Sequence, residues 1–216
     1  MIRIGARVPR RGNAFSRGLA RAVLRLMGWR VEGELPDAPH MVVIGAPHTS
    51  NMDGFIGITT LIALGLDART MIKDSAFKGL LGRFLRWAGA MPIRRGSRDG
   101  VIEQCVAAFA ERPSLWLLIA PEGTRKASAQ WKRGFHHIAL GAGVAILPAA
   151  ADYRKRIVRF GTPITATADY AGDLHTVLDY FHRYGAPRHP ERLSQPLCAL
   201  AGQAWVPQEP REPPAP

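Results

Sequence analysis

Met41-Val42-Val43-Ile44-Gly45-Ala46-Pro47-His48-Thr49-Ser50-Asn51-Met52-Asp53 is the stretch that decides the fold. Its first six residues form an unbroken apolar run of strand length, the pattern of a strand covered on both faces. Pro47 ends that strand and removes a backbone donor. Ser50, with Asp53 three positions later, then has the spacing that opens a helix, here predicted over about Asn51 to Leu64. A buried strand feeding a helix through a short polar loop is the repeating unit of an α/β sheet, and such loops sit where these sheets bind ligands.

The unit recurs. Leu115-Trp116-Leu117-Leu118-Ile119-Ala120 is a second apolar strand; it runs into Pro121-Glu122-Gly123-Thr124-Arg125, and a helix is expected near Lys132 to Leu140. Further strands are predicted at Trp29–Glu34, Thr70–Lys73, Met91–Arg94, Val144–Ala150 and Ile157–Phe160, with a turn at Pro36–Pro39. Helices are predicted at Phe77–Trp87, Arg98–Glu111, Leu174–Tyr184 and Glu191–Trp205. This alternation implies one α/β domain over residues 31–205, with a mixed, mostly parallel sheet flanked by helices. At 216 residues and 47% hydrophobic content, the chain is long enough for one full core. The proline-rich end, residues 206–216, lacks large apolar groups and is expected to be disordered.

The charge is one-sided: 29 basic against 17 acidic residues give +12. Residues 1–30 hold Arg3, Arg7, Arg10, Arg11, Arg17, Arg21, Arg25 and Arg30 and no acid. Between Ala14 and Trp29 an amphipathic helix is expected, with Phe15, Leu19, Ala22, Val23 and Leu26 on one stripe and Arg17, Arg21 and Arg25 opposite. A basic amphipathic helix suits an anionic membrane surface, though the same stripe would also serve to cover the domain's own core. The longest apolar run, Phe55 to Leu66, is too short to span a bilayer, and arginines interrupt any secretory h-region. A peripheral position on the cytoplasmic membrane face is the expectation. Cys105 and Cys198 lack metal-ligand spacing and read as buried thiols in a reducing compartment. His136 and His137 are adjacent, hence on different helix faces, and no metal site is expected.

The two strand-end loops carry the candidate chemistry. His48 has the intrinsic pKa of a general base, and Asp53, in the first turn of the following helix, can orient its imidazole. Taken alone the block also fits a loop histidine beside a capping aspartate; the second loop tips the reading toward catalysis. There Gly123 and Thr124 offer a pliable turn, and Arg125 can fork onto a phosphate. Glu122 suits either an acceptor hydroxyl or an ion pair with a nearby arginine. Arg95 and Lys73, each following a short strand, are expected to converge with Arg125 on one phosphate. Lys132 and Arg133 face either substrate phosphates or only solvent in a charged first helical turn. Backbone N–H groups near His48 or Gly123 are the expected oxyanion donors.

In these blocks, His-x4-Asp followed by Pro-Glu-Gly-Thr-Arg, the chain resembles the lysophosphatidate acyltransferase family over roughly residues 30–160. Gly89–Arg95 is similar to that family's second block, ending on Arg95, and Val144–Ala149 to its last; Lys73 matches a basic position in many members. Ala120, Arg94, Met52 and Lys126 depart from the residues common there, which leaves the acceptor open. The resemblance implies an O-acyltransferase with His48 and Asp53 catalytic. Its acyl donor would be acyl-CoA or acyl-carrier protein, its acceptor a lysophospholipid, foremost 1-acylglycerol 3-phosphate, and no cofactor would be bound. Another lyso-lipid, or glycerol 3-phosphate, is the alternative acceptor. A non-catalytic basic protein on membrane or nucleic acid is the remaining reading, and a nucleic-acid partner is not expected.

Overall fold

The computed structural model describes residues 2–80, 82–83, 89–94 and 100–202. Its strands are β1 (Arg30–Glu32), β2 (His40–Ala46), β3 (Ala68–Lys73), β4 (Ala90–Ile93), β5 (Leu115–Ile119), β6 (Ala145–Asp152), β7 (Ile157–Phe160) and β8 (Ile164–Thr165). The helices are α1 (Ala14–Leu26), α2 (Asn51–Leu64), α3 (Val101–Glu111), α4 (Gly134–Ala142) and α5 (Tyr170–Tyr184). The strands form one sheet in the order β1-β7-β6-β2-β5-β3-β4, with β8 added along β6. β2, β5, β3 and β4 are parallel neighbours, as are β2 and β6, while β7 and β8 run antiparallel to β6. β2 is therefore central, which is why its residues are apolar without alternation: Met41, Val42, Val43 and Ile44 are all buried.

The two faces of the sheet carry separate layers. Val42, Ile44, Leu117 and Ile146 pack against Phe109, Phe135, Ile138 and Phe181 of α3, α4 and α5. Met41, Val43, Trp116 and Leu147 face Leu61, Leu66 and the N-terminal Val8. Outside this second layer α1 lies antiparallel on α2, burying Ala20 and Leu24 against Ile56 and Ala63 while Arg21 Nε donates to the Ala63 carbonyl at 3.0 Å. Gly65 closes α2 at φ +71°, and a Cβ there would come within 2.8 Å of Arg17 Cδ, so this junction of α2 with α1 requires glycine.

Three features differ from the sequence expectation. β1 and β2 are not neighbours: β1 pairs in parallel with β7 at the far edge, because the segment around Pro36–Pro39 carries the chain past β6 and β7. The expected helix over Glu191–Trp205 is replaced, within the described residues, by 3-10 turns at Pro190–Arg192 and Gln195–Ala201. Pro196 lacks an N–H, and the Gln195 N–H donates to Ser128, so the segment bonds across the fold instead of along itself. The short β8 carried no periodic signal. The tail at 206–216 and parts of the helix expected over Phe77–Trp87 lie outside the described residues.

Candidate active site

β2 and β5 are adjacent and parallel, so the loops that leave their carboxyl ends meet at one sheet edge. The meeting is direct. Glu122, 3% exposed, accepts the His48 N–H at 2.6 Å, tying the second loop to the first. Its other oxygen accepts the Ser194 hydroxyl at 3.4 Å, and Ser194 accepts the Trp131 indole N–H at 2.9 Å. Glu122, open in the sequence to an acceptor hydroxyl or an arginine partner, here braces the histidine loop. Burial pushes its carboxyl up to about 7, against the downward pull of the bonds from His48 and Ser194.

Asp53 is held more densely still. Oδ2 accepts the Thr49 and Ser50 N–H groups at 2.6 and 2.7 Å, and Oδ1 accepts the hydroxyls of Ser50 at 2.8 Å and Tyr153 at 2.5 Å. Oδ2 also lies 3.8 Å from His48 Nδ1. Capping and pairing with the imidazole are therefore two tasks of one side chain: helix α2 fixes the carboxylate, and its charge still faces the ring. Tyr153, at the turn after β6, was invisible in the sequence, since no periodicity links it to residue 53; its ring stands edge-on to Trp29 at 4.9 Å. Burial holds the His48 pKa below its usual value; Asp53 pulls it upward and Arg125 pushes it further down.

Beyond His48 the site divides. On one side lies an apolar cavity of about 780 Å³ at the carboxyl-terminal edge of the sheet, lined by Ile56, Leu61 and Phe160 on one face and Ile93, Val101 and Ile138 on the other. On the other side is a polar cavity of about 760 Å³ bordered by Ser50, Asn51, Thr124, Arg125, Lys126 and Arg192. His48 and Gly123 line both. Gly123 has φ +66°, and a Cβ on it would fall 2.7 Å from Lys132 Cε, so the turn that presents Thr124 and Arg125 depends on glycine. The Arg125 guanidinium is fastened to the Asn51 side-chain oxygen, and Arg125 borders the polar cavity.

The remaining sequence candidates divide likewise. Position 73 ends β3 on the same sheet edge, though only the backbone of Lys73 is described. Arg95 lies outside the described residues. Arg133 is turned away, its guanidinium 4.6 Å over the Tyr170 ring, while Lys132 lines the apolar cavity next to Gly123. The expected oxyanion donors are largely committed: the His48, Thr49 and Ser50 N–H groups go to carboxylates, and that of Gly123 to the Ala120 carbonyl at 3.0 Å.

A parallel-sheet domain with a histidine between an apolar chamber and a basic one has the parts an acyltransferase needs. The chain belongs to the acyltransferase family, whose model matches residues 28–152, and it is an acyltransferase enzyme. Among solved structures it is similar to the 1-acyl-sn-glycerophosphate (LPA) acyltransferase PlsC from Thermotoga maritima, with a TM-score of 0.57 and 14% identity over 78% of this chain and 76% of that one. That likeness bears out the single-domain, mostly parallel α/β architecture. No curated protein matches the chain.

Proposed function

We propose that the protein moves a fatty acyl group from acyl-CoA or acyl-carrier protein to the free hydroxyl of a lysophospholipid, with 1-acylglycerol 3-phosphate as acceptor and phosphatidate as product. The observation that carries this is the position of His48 on the wall shared by the apolar cavity and the cation-lined one. A fatty chain is at home in the first, a phosphate in the second, and the reacting atoms belong where they join.

His48 Nδ1, facing Asp53, carries the ring proton, which leaves Nε2 to take the hydroxyl proton as the oxygen attacks the thioester carbon. The tetrahedral intermediate collapses by breaking the carbon–sulfur bond, and the proton passes from the imidazolium to the departing thiolate. Asp53 stabilises the imidazolium, Glu122 holds the loop, and Arg125, with Arg95 and Lys73, binds the phosphate. No metal or bound cofactor takes part in this scheme.

The acceptor and product are lipids, and α1 and α2 form an apolar face beside the site. Phe15, 79% exposed, and Leu26, 89% exposed, stand out from α1 with Leu19; Phe55, Ile58 and Ile62 stand out from α2. The expected stripe thus points outward, while Ala20 and Leu24 do the packing. No helix among the described residues is long and apolar enough to cross a membrane. With Arg17, Arg21 and Arg25 carried on the same helix α1, this face is suited to peripheral docking on the anionic cytoplasmic leaflet.

Purified protein given acyl-CoA or acyl-carrier protein and lysophosphatidate should form phosphatidate. Absence of transfer to this or any other lyso-lipid would refute the proposal. Binding to phosphatidylserine vesicles should fall with added salt and in Leu26→Glu; undiminished binding in both tests would remove the α1 face from the scheme.

A further inference from the structure

Residues 189–195 lie beyond the family match at 28–152, yet they return to both motif loops. The His189 N–H donates to Thr49 Oγ1 at 3.3 Å, Ser194 to Glu122 at 3.4 Å, and the Gln195 N–H to the Ser128 carbonyl at 2.8 Å. Leu193 and Leu197 anchor the segment in the core beside Trp131 and Phe181. Between these attachments Arg192 faces the polar cavity.

We infer that this strap completes the acceptor site, and that Arg192 is a further guanidinium on the acceptor's phosphate and so determines specificity for a phosphorylated acceptor. The inference rests on the acyltransfer reading above. Arg192 spends little of its donor capacity inside the protein: Nη1 reaches the Thr49 carbonyl at 3.4 Å, and Nε lies 3.7 Å from Glu191. Arg125, Lys126 and Arg192 line the cavity, and among the described residues no carboxylate lines it with them. The two planar forks and the ammonium that border this cavity suit a phosphate monoester dianion.

The choice of acceptor over donor follows from covalent distance. In a 1-acylglycerol 3-phosphate the phosphate is on the carbon next to the one bearing the attacking hydroxyl, so it lies close to His48, in the cation-lined one of the two cavities that His48 borders. The phosphates of coenzyme A, or of a carrier protein's prosthetic arm, are separated from the thioester by the whole pantetheine chain. A cation cluster bordering the base therefore serves the acceptor.

The test compares lysophosphatidate with 1-monoacylglycerol, which lacks the phosphate, at fixed acyl-CoA. In R192Q the ratio of kcat/KM for the two acceptors should fall about 10- to 100-fold, through KM for lysophosphatidate. An unchanged ratio, or a rise confined to KM for acyl-CoA, would overturn the assignment. Titration with inorganic phosphate, followed by NMR of the arginine side chains, separates this inference from the functional one. If the wild type does not acylate lysophosphatidate but binds phosphate, and R192Q weakens that binding about tenfold or more, the anion site stands and the acceptor reading falls. If phosphate binding is absent or indifferent to R192Q, the inference fails.

Discussion

Apart from the exposed His175–Asp179 pair on α5, two histidine–aspartate pairs among the described residues are set into the fold, and the tighter of these lies outside the site. His136 Nε2 and Asp173 Oδ2 are 2.8 Å apart, buried between α4 and α5 beside the edge-on ring of Tyr170, with His136 Nδ1 left without a partner. His48 and Asp53 are 3.8 Å apart, with the imidazole 26% exposed on the cavities and the carboxylate holding four other donors. The short bond satisfies polar groups that burial would otherwise penalise, and it fastens one helix to another. The long one leaves a basic nitrogen open to a cavity and a nearby charge to stabilise a cation. Proximity alone favours the His136 pair; access to a cavity favours the His48 pair as the proposed base and its partner.

The largest expected effect tests that separation directly. His48→Ala should lower kcat for acyl transfer by about 10² to 10⁴, the usual worth of a general base, with little change in melting temperature. His136→Gln should do the reverse, costing about 1–3 kcal/mol in urea unfolding while leaving kcat within a few-fold of wild type. A variant at 136 as inactive as the one at 48, yet stably folded, would break the comparison.

Glu122 provides the next effect, because it braces one of these histidines at a cost of its own. Its carboxyl is raised from 4.5 to about 7 by burial, so between these values the folded state keeps a proton that the unfolded state has released. Stability therefore declines as pH rises from 4.5 to 7, and the full penalty, of order 3 kcal/mol, is present above 7. Glu122→Gln keeps an acceptor for the His48 N–H and removes the ionisation. Urea unfolding should show little difference from wild type at pH 4.5 and a more stable variant at pH 8; parallel pH dependences would mean that Glu122 is not buried as a charge.

How far all this could be read from the chain depends on whether the signal is local. His48, Asp53, Glu122 and Arg125 follow apolar strands directly, so their placement on one sheet edge was legible from β2 and β5 alone. So was α2 over Asn51–Leu64, where a serine start and a glycine stop frame the helix. Tyr153, Ser194 and Arg192 were not legible, because each reaches the site through the path of the whole chain and no spacing announces it. The same holds for β1, placed beside β7 by tertiary packing. The 3-10 turns near the C-terminus show the converse: apolar Leu197, Cys198 and Leu200 suggest a helix, yet bonds to distant partners take precedence there.

A smaller effect concerns the phosphate side of the site. Arg125→Gln should raise KM for lysophosphatidate about tenfold and leave the stability of both histidine pairs unaffected, since the guanidinium is exposed and is fastened to the Asn51 side chain. An equal rise for an acceptor without phosphate would show that Arg125 shapes the loop and does not read the anion.

The smallest effect is a displacement of the pH profile, and its sign discriminates sharply. Burial lowers the His48 pKa, so the acid limb of kcat/KM should lie below the ordinary 6.5. Arg125 contributes to the lowering and Asp53 opposes it. Arg125→Gln should therefore move the limb to higher pH, and in the residual activity of Asp53→Asn it should move to lower pH. His136→Gln should leave it in place, because that ring touches neither cavity. Rate profiles over pH 4.5 to 8 at saturating acyl donor would record all three; a limb that followed residue 136 would transfer the base from one pair to the other.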